Sequence, residues 1–120
     1  MADLHDISIS TEATEVAETI FEQKWFKNRA DILSFAAGYM IKHHFSNFDP
    51  STYVLSNSQG LNYGTSTFDA DGKWSMVIRG LYPNAQTPYI YLRALMDRGL
   101  LLLGQQMKDN PSYSIVSELM

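Results

Sequence analysis

The sequence predicts a mainly α-helical single domain, residues 1–120, with about four helices and a short N-terminal strand. Three observations lead to this prediction. Apolar residues recur every three or four positions over most of the chain, which is the spacing of helices that bury one face. Polar caps and prolines bracket these stretches, as at Thr87-Pro88 and Asn110-Pro111. A chain of 120 residues with 45% hydrophobic residues is long enough to bury one core.

The N-terminal segment predicts a strand followed at once by a helix. Apolar or aromatic side chains at His5, Ile7 and Ile9 alternate with polar ones, which is the period of a strand with one buried face. Ser10 or Thr11 then caps a helix that runs to about Trp25. The apolar face of this first helix consists of Ala13, Val16, Ala17, Ile20 and Phe21.

A second helix is predicted to begin at Asn28 and to end near His44. Asn28 is a suitable cap, and the carboxylate of Asp31 is expected to reach back to the free backbone N–H near it. Because only two or three residues separate the first two helices, they must pack as a pair. The apolar stripe of the second helix comprises Ile32, Leu33, Ala36, Ala37, Met40 and Ile41.

The rest of the chain predicts a polar connection and two further helices. Residues 45–73 are rich in turn residues and leave room for one small β-hairpin, with Tyr53-Val54-Leu55 as a strand. A short third helix around Trp74–Leu81 precedes a long last helix that starts at Thr87-Pro88 and ends near Lys108. The end of the chain, 112–120, is expected to be a tail.

Composition narrows the classes of function. The chain has no cysteine, which removes disulfides, thiolate metal sites and cysteine nucleophiles and fits a cytoplasmic protein. No uncharged stretch is apolar enough for a membrane span, and the N-terminus lacks the pattern of a signal peptide. The net charge of −4 argues against indiscriminate wrapping of nucleic acid, because neutralising phosphates needs a basic surface.

No motif in the sequence indicates catalysis, a cofactor or a metal ion. His43 and His44 are adjacent on a helix and point about 100° apart, so they cannot grip one metal as an i, i+4 pair does. The stretch Asp69–Gly72 is similar to the start of a calcium loop but lacks the downstream glutamate. We expect a protein that is not an enzyme, with a site assembled from distant residues as the least favoured alternative.

Two groups of residues are candidate contact sites. Lys24, Lys27 and Arg29 lie where the junction of the first two helices could meet a phosphate or an acidic partner. The first 22 residues, by contrast, hold six carboxylates and no lysine or arginine, which predicts either a solvated helix face or a surface for a basic partner. Apolar or small residues predicted to form an oligomer contact are Ala36, Ala37, Met40, Leu100 and Leu103.

The order strand, helix, short turn and helix over residues 5–44 resembles the ribbon-helix-helix arrangement. In that family the strand pairs with its dimer mate, and its outward side chains read the major groove. The outward positions here are Asp6, Ser8 and Ser10, none of which is basic. The resemblance therefore implies the shape of a dimeric DNA-binding regulator without its usual DNA-reading residues.

A second resemblance covers two blocks, FKNRADILSFAAGYMI and LRALMDRGLLLLGQQM. Together they look like the small accessory proteins encoded beside Dnd DNA-phosphorothioation systems. The matching positions are Phe26, Asp31, Ala36, Ala37, Gly99 and Leu100. This resemblance implies a bacterial DNA-modification or defence setting, and a role in assembly or regulation.

Taken together, the sequence predicts a non-enzymatic interaction subunit of a DNA-modification or defence complex. Its expected partners are proteins, including further copies of this chain, with DNA as a weak partner and no membrane contact. The alternative is the dimeric ribbon-helix-helix regulator. The acidic first helix favours the interaction subunit, whereas the cations at Lys24, Lys27 and Arg29 favour the regulator.

Overall fold

A computed structural model of the protein describes residues 2–119. Over that range the chain forms five α-helices and two short strands, with 3-10 helices at Pro50–Thr52 and Ile115–Glu118. The order of the principal elements is β1 (Asp6–Ser8), α1 (Thr11–Glu22), α2 (Arg29–His44), β2 (Asn62–Gly64), α3 (Ser66–Asp69), α4 (Lys73–Leu81) and α5 (Pro88–Asp109). The mainly α-helical class predicted from the sequence is confirmed, and α3 is a single turn that the sequence analysis did not predict.

Strand β1 pairs with β2 of its own chain. The two strands are antiparallel, with Ile7 opposite Tyr63. Pairing continues past the strands, where the Ile9 N–H donates to the Leu61 carbonyl at 3.0 Å and the Gly60 N–H donates to the Ile9 carbonyl at 2.8 Å. One edge of β1 is thus occupied within the chain, whereas a ribbon-helix-helix protein would pair this strand with a dimer mate.

The hairpin expected in the middle of the chain is not formed among the described residues. Tyr53–Leu55 is not a strand, and the strand of this region, β2, lies further along and pairs with the N-terminus. The hydroxyl of Tyr53 donates to Asp97 of α5 at 2.6 Å, so a side-chain hydrogen bond holds this segment in place of a backbone ladder.

Helix α1 begins as predicted and ends earlier than expected. The Ser10 side chain accepts a hydrogen bond from the Ala13 N–H at 3.1 Å, which is a standard N-cap. Ala13, Ala17 and Ile20 are buried. The helix stops at Glu22 because the chain turns at Lys24, whose φ of 64° is left-handed and incompatible with continuing the helix.

Helix α5 is the centre of the fold and packs against α1, α2 and α4. Its contact with α2 is unusually close: a Cβ built on Gly99 would lie 2.4 Å from the Ala36 carbonyl oxygen. Only glycine at position 99 permits this approach, so the two helices meet backbone to backbone. Residues fully buried along α5 include Leu92, Leu95, Met96, Leu100 and Leu103.

The positions of the residues predicted to form an oligomer contact require a correction. All five lie inside the core of a single chain, with at most 1% of their surface exposed: Ala36, Ala37, Met40, Leu100 and Leu103. Between Leu100 and Leu103, the intervening Leu101 and Leu102 are partly buried against the same core. A second copy would have to bind elsewhere on the surface.

The C-terminal segment is docked over the described residues, although the sequence predicted a tail. Ile115 is fully buried, and the Glu118 carboxylate contacts His43 of α2 at 2.8 Å and accepts from the Tyr113 hydroxyl at 3.1 Å. The buried Ile115 and the contact of Glu118 with His43 therefore anchor this segment, and the hydrogen bond from Tyr113 to Glu118 is internal to it. Met120, the last residue of the predicted tail, lies outside the described residues.

Candidate interaction site

The junction between α1 and α2 brings the three predicted cations near one another but leaves only two of them exposed. Lys24 and Lys27 are exposed, whereas Arg29 is half-buried against α1. The Arg29 Nε and Nη2 atoms bind the two carboxylate oxygens of Glu18 at 2.5 and 3.0 Å. The same guanidinium lies 4.3 Å from the centre of the Phe21 ring. Arg29 thus serves the packing of α1 on α2.

The electrostatics of this junction are those of a balanced ion pair. Hydrogen bonding to Arg29 lowers the pKa of Glu18, and the same contact raises the pKa of Arg29. A hollow of about 480 Å³ beside the pair is lined by Glu18, Phe21, Glu22, Lys24, Phe26 and Arg29. Because two carboxylates face two cations there, the hollow is not a basic surface of the kind that attracts phosphates.

Aromatic residues near the junction divide between the interior and the surface. The Phe26 and Phe35 rings pack 5.3 Å apart, and both rest on the core. Tyr39 also packs on the core and touches the His43 ring. Trp25 alone is largely exposed, at 54% of its surface. The group is therefore mainly structural and does not form a row of exposed rings for stacking on bases.

Three carboxylates are engaged in the fold at the N-terminal half of α5. Asp97 is fully buried and accepts hydrogen bonds from the Ser10 N–H at 2.8 Å and from the Tyr53 hydroxyl. Burial, followed by the hydrogen bond to Asp97, raises the pKa of Tyr53. Asp3 accepts from the N–H groups of Tyr89 and Ile90, the first turn of α5. The third carboxylate, Asp69, accepts from the Tyr89 hydroxyl at 2.7 Å.

Asp69 also fixes the start of α4. Its two carboxylate oxygens accept from the N–H groups of Trp74 and Ser75 at 2.5 and 3.0 Å. The stretch Asp69–Gly72 is therefore a helix-capping turn, in which Gly72 has a left-handed φ of 77°. These carboxylates face backbone N–H and tyrosine hydroxyl groups, so their arrangement serves folding.

An apolar groove lies between α2 and α4. It measures about 310 Å³ and is open to solvent along one side. We call it the α2–α4 groove; its lining residues are Gly38, Ile41, Lys42, Lys73, Trp74 and Val77. Val77 leaves 44% of its surface exposed and the adjacent Met76 leaves 67%. On α4 only Ile78 is buried, so this helix keeps much of its apolar surface on the outside.

A second hollow adjoins the groove over the backbone of Gly38. This smaller hollow, of about 230 Å³, has Gly38 and Lys42 in common with the α2–α4 groove. Its other lining residues are Phe35, Tyr39 and Glu118, which belong to α2 and the docked C-terminal segment. Together the two hollows form a trough along the exposed side of α2, with Gly38 at its middle.

Sequence reasoning missed this groove, although two of its signals were visible. Gly38 stands inside the predicted second helix, where glycine is less favourable than alanine. Val77 lies in the predicted third helix at helical spacing with Trp74, Ile78 and Leu81, which is the spacing of a buried face. The groove exists because α4 packs on α5 through Ile78 and leaves Val77 at the gap toward α2.

Neither a known relative nor a cluster of metal ligands assigns a function to this surface within the described residues. No protein-family model, curated protein or solved structure matches the chain. The ribbon-helix-helix and Dnd resemblances stay predictions from the sequence. Between residues 2 and 119, no three histidine, aspartate or glutamate side chains lie close enough together to hold a metal ion. No helix in that range is both long enough and apolar enough to cross a membrane.

Proposed function

We propose that the protein is a non-enzymatic interaction subunit that binds a protein partner through the α2–α4 groove. The observation that carries this proposal is the exposed apolar surface of α4. Met76 and Val77 remain exposed beside a groove lined by Ile41 and Trp74. Other large apolar residues are exposed too, but none of them lines this groove: Trp25, Phe45, Val54 and Leu119. Contiguous exposed apolar surface with a charged rim is typical of a protein-binding site.

The setting we propose, a bacterial DNA-modification or defence complex, is supported by the two sequence blocks alone. Two of their matching positions, Ala36 and Gly99, lie against each other where α2 crosses α5. Separate blocks of sequence thus meet in one packing contact. The small residues Ala36 and Gly99 are needed for this close contact between α2 and α5. They therefore support the shared fold more directly than a shared partner.

The alternative function is DNA binding by a ribbon-helix-helix-type dimer. Exposure of Lys24 and Lys27 favours it, because both cations are available to phosphates. Three observations favour the interaction subunit over it. β1 already pairs with β2, and Arg29 is bound to Glu18. Ser10, one of the three outward strand positions, is buried as the cap of α1.

Co-expression with the proteins encoded beside it, followed by size-exclusion chromatography, tests the main proposal. The test variant is Val77→Asp, which places a charge in the groove. The matched control is Val54→Asp, because Val54 is 85% exposed and lies outside the groove. We expect a complex with wild type and Val54→Asp that Val77→Asp loses, with unchanged folding by circular dichroism. A complex that survives Val77→Asp would overturn the groove as the contact.

Fluorescence anisotropy with a random 30-base-pair duplex tests the alternative. With two available cations, log Kd should change with log salt by a slope of no more than about two, since each phosphate contact contributes about 0.9. We expect binding in the micromolar range or weaker at physiological salt. Nanomolar binding with a steeper slope, abolished by Lys24→Glu with Lys27→Glu, would replace the interaction subunit with the DNA-binding regulator.

A further inference from the structure

We infer that the occupant of the α2–α4 groove is an acidic amphipathic helix of a partner protein, seated against the backbone of α2 at Gly38. This inference rests on the proposed function and names the partner by its chemistry. Three features carry it: the glycine at the middle of the trough, the two lysines on the rim, and the helical walls of the groove.

Gly38 has no explanation inside the chain. It lies in the interior of α2, where glycine is less favourable than alanine because it loses more backbone freedom on folding. A Cβ built on Gly38 meets nothing within 4 Å, whereas one on Gly99 would collide with α2. The φ of Gly38 is ordinary; Gly72 is the only glycine with a left-handed φ among the described residues.

A helix of the partner explains a glycine at this position. Small residues at a helix surface let a second backbone approach closely, as Gly99 already does inside this molecule. Gly80 of α4 is open in the same way, and it follows Met76 and Val77 by one helical turn. Both helices that border the groove therefore present a glycine with free space above it.

The charge of the rim selects an acidic partner. Lys42 and Lys73 line the apolar groove, and none of its lining residues, all within the described range, is a carboxylate. Glu118 lines only the adjoining hollow, where it contacts His43. Lys73 lies 3.6 Å from Asp71, but both side chains are highly exposed, so that pair is weak. A basic rim on a chain of net charge −4 is opposite in sign to the molecule as a whole, so this is a place where an acidic helix is attracted.

The shape of the groove favours a helix over other occupants. Its walls are two helices whose backbone hydrogen bonds are made internally, so they offer no edge to an extended strand. An amphipathic helix lying in a groove between helices buries apolar residues at i, i+3, i+4 and i+7. A small molecule is less suited, because ligand pockets enclose most of their ligand and this groove is open to solvent.

Display selection with an 18-residue helical peptide library tests the inference without a known partner. The library is panned on the wild-type protein, and each selected peptide is then measured by fluorescence polarisation against four variants. Gly38→Leu fills the middle of the trough, Gly38→Ala adds one methyl group, and Lys42→Glu with Lys73→Glu reverses the rim. Val54→Asp is the control outside the groove.

We expect the selected peptides to be amphipathic and rich in Asp and Glu beside the apolar positions. Gly38→Leu should abolish their binding, and reversal of the rim should weaken it about tenfold at low salt. Gly38→Ala should weaken binding severalfold while raising the melting temperature by about 2–5 °C, because alanine favours the helix. If Gly38 had only a structural role, Gly38→Ala would not raise the melting temperature and weaken peptide binding at the same time.

The outcomes separate this inference from the proposed function. Peptides that lose binding to Gly38→Leu but carry no excess of acidic residues would overturn the acidic helix and leave the groove as a protein-binding site. Peptides indifferent to Gly38→Leu would overturn both. Flotation with phosphatidylserine vesicles supplies the remaining outcome: vesicle binding lost on reversal of Lys42 and Lys73 would assign the groove to an anionic membrane surface and overturn the inference.

Discussion

The two sides of helix α5 differ in how far their groups are satisfied within the chain. On one side Asp97 is buried and accepts from Ser10 and Tyr53, which belong to distant parts of the sequence. On the other side α2 and α4 leave a groove in which Val77 is exposed and a Cβ added at Gly38 would meet nothing within 4 Å. The polar groups on the first side make hydrogen bonds that stabilise the fold. The second is where the molecule has surface available for a partner.

Asp97→Ala should have the largest effect on folding. The substitution leaves the Ser10 N–H and the Tyr53 hydroxyl without an acceptor, and each buried unsatisfied donor costs about 1–3 kcal/mol. We expect a loss of about 2–5 kcal/mol in the free energy of unfolding, measured by urea denaturation. Such a loss would confirm that this side of α5 stabilises the fold.

Tyr53→Phe is the matched control for Asp97. It removes one donor and leaves the Ser10 contact, so it should cost about 0.5–1.5 kcal/mol, clearly less than Asp97→Ala. If Asp97→Ala instead unfolds at the same urea concentration as wild type, the contrast between the two sides of α5 disappears.

Asp69→Ala should have the next largest effect and act on the wall of the groove. The carboxylate caps α4 at Trp74 and Ser75 and binds the Tyr89 hydroxyl. Loss of a cap costs about 0.5–2 kcal/mol, and the unpaired tyrosine adds to it. Amide hydrogen exchange should accelerate in α4 more than in α2. Equal acceleration of exchange in both helices would show that Asp69 stabilises the whole fold and not α4 in particular.

Asn28→Ala and Asp31→Ala test which residue caps α2 at the junction, and both should have smaller effects. The Asn28 side chain accepts from the Asp31 N–H at 2.9 Å, so Asn28 is the cap as predicted. The predicted return contact of the Asp31 carboxylate is not among the hydrogen bonds of the described residues, and Asp31 is exposed. Thermal unfolding should show about 0.5–2 kcal/mol lost for Asn28→Ala and little change for Asp31→Ala. A larger loss of stability for Asp31→Ala than for Asn28→Ala would show that the Asp31 carboxylate makes the predicted capping contact.

Glu18→Gln should have the smallest effect, visible mainly as a change in pH dependence. Hydrogen bonding to Arg29 lowers the pKa of Glu18 below its ordinary value of 4.5. A lowered carboxyl pKa stabilises the fold above the ordinary value, and that stabilisation is lost as pH falls through the lowered value. The melting temperature of the wild type should therefore exceed that of the variant by more at pH 7 than at pH 3. A constant difference would mean that the ion pair does not link folding to pH.

Much of the helical fold was predictable because its signals are local. Ser10 and Asn28 cap the helices that follow them, and Thr87-Pro88 opens α5, as the residue types indicate. The pairing of β1 with Asn62–Gly64 was not predictable, because an asparagine, a tyrosine and a glycine carry no strand pattern and lie more than 50 positions away. Their register depends on the docking of the whole connection.

The candidate site was harder to predict than the fold. Exposed lysines at the junction were located correctly, but the binding of Arg29 by Glu18 depends on how α1 crosses α2. Asp97 offered a clue, since one aspartate within an apolar helix must find donors or face solvent. Nothing in the spacing of Val77 distinguishes a buried face from the wall of a groove, because that depends on the distance between α2 and α4.

The close crossing of α2 and α5 at Gly99 has a consequence for motion. Because the Ala36 carbonyl leaves no space for even a methyl group there, neither helix can rotate or slide without a collision. The two helices should therefore move as one rigid body on all timescales short of unfolding. Helix α4 is not locked in this way, since a Cβ added at its Gly80 would meet nothing within 4 Å, and it is the wall that we expect to adjust. A partner entering the groove would shift α4 alone, and the width of the groove would be set by its occupant.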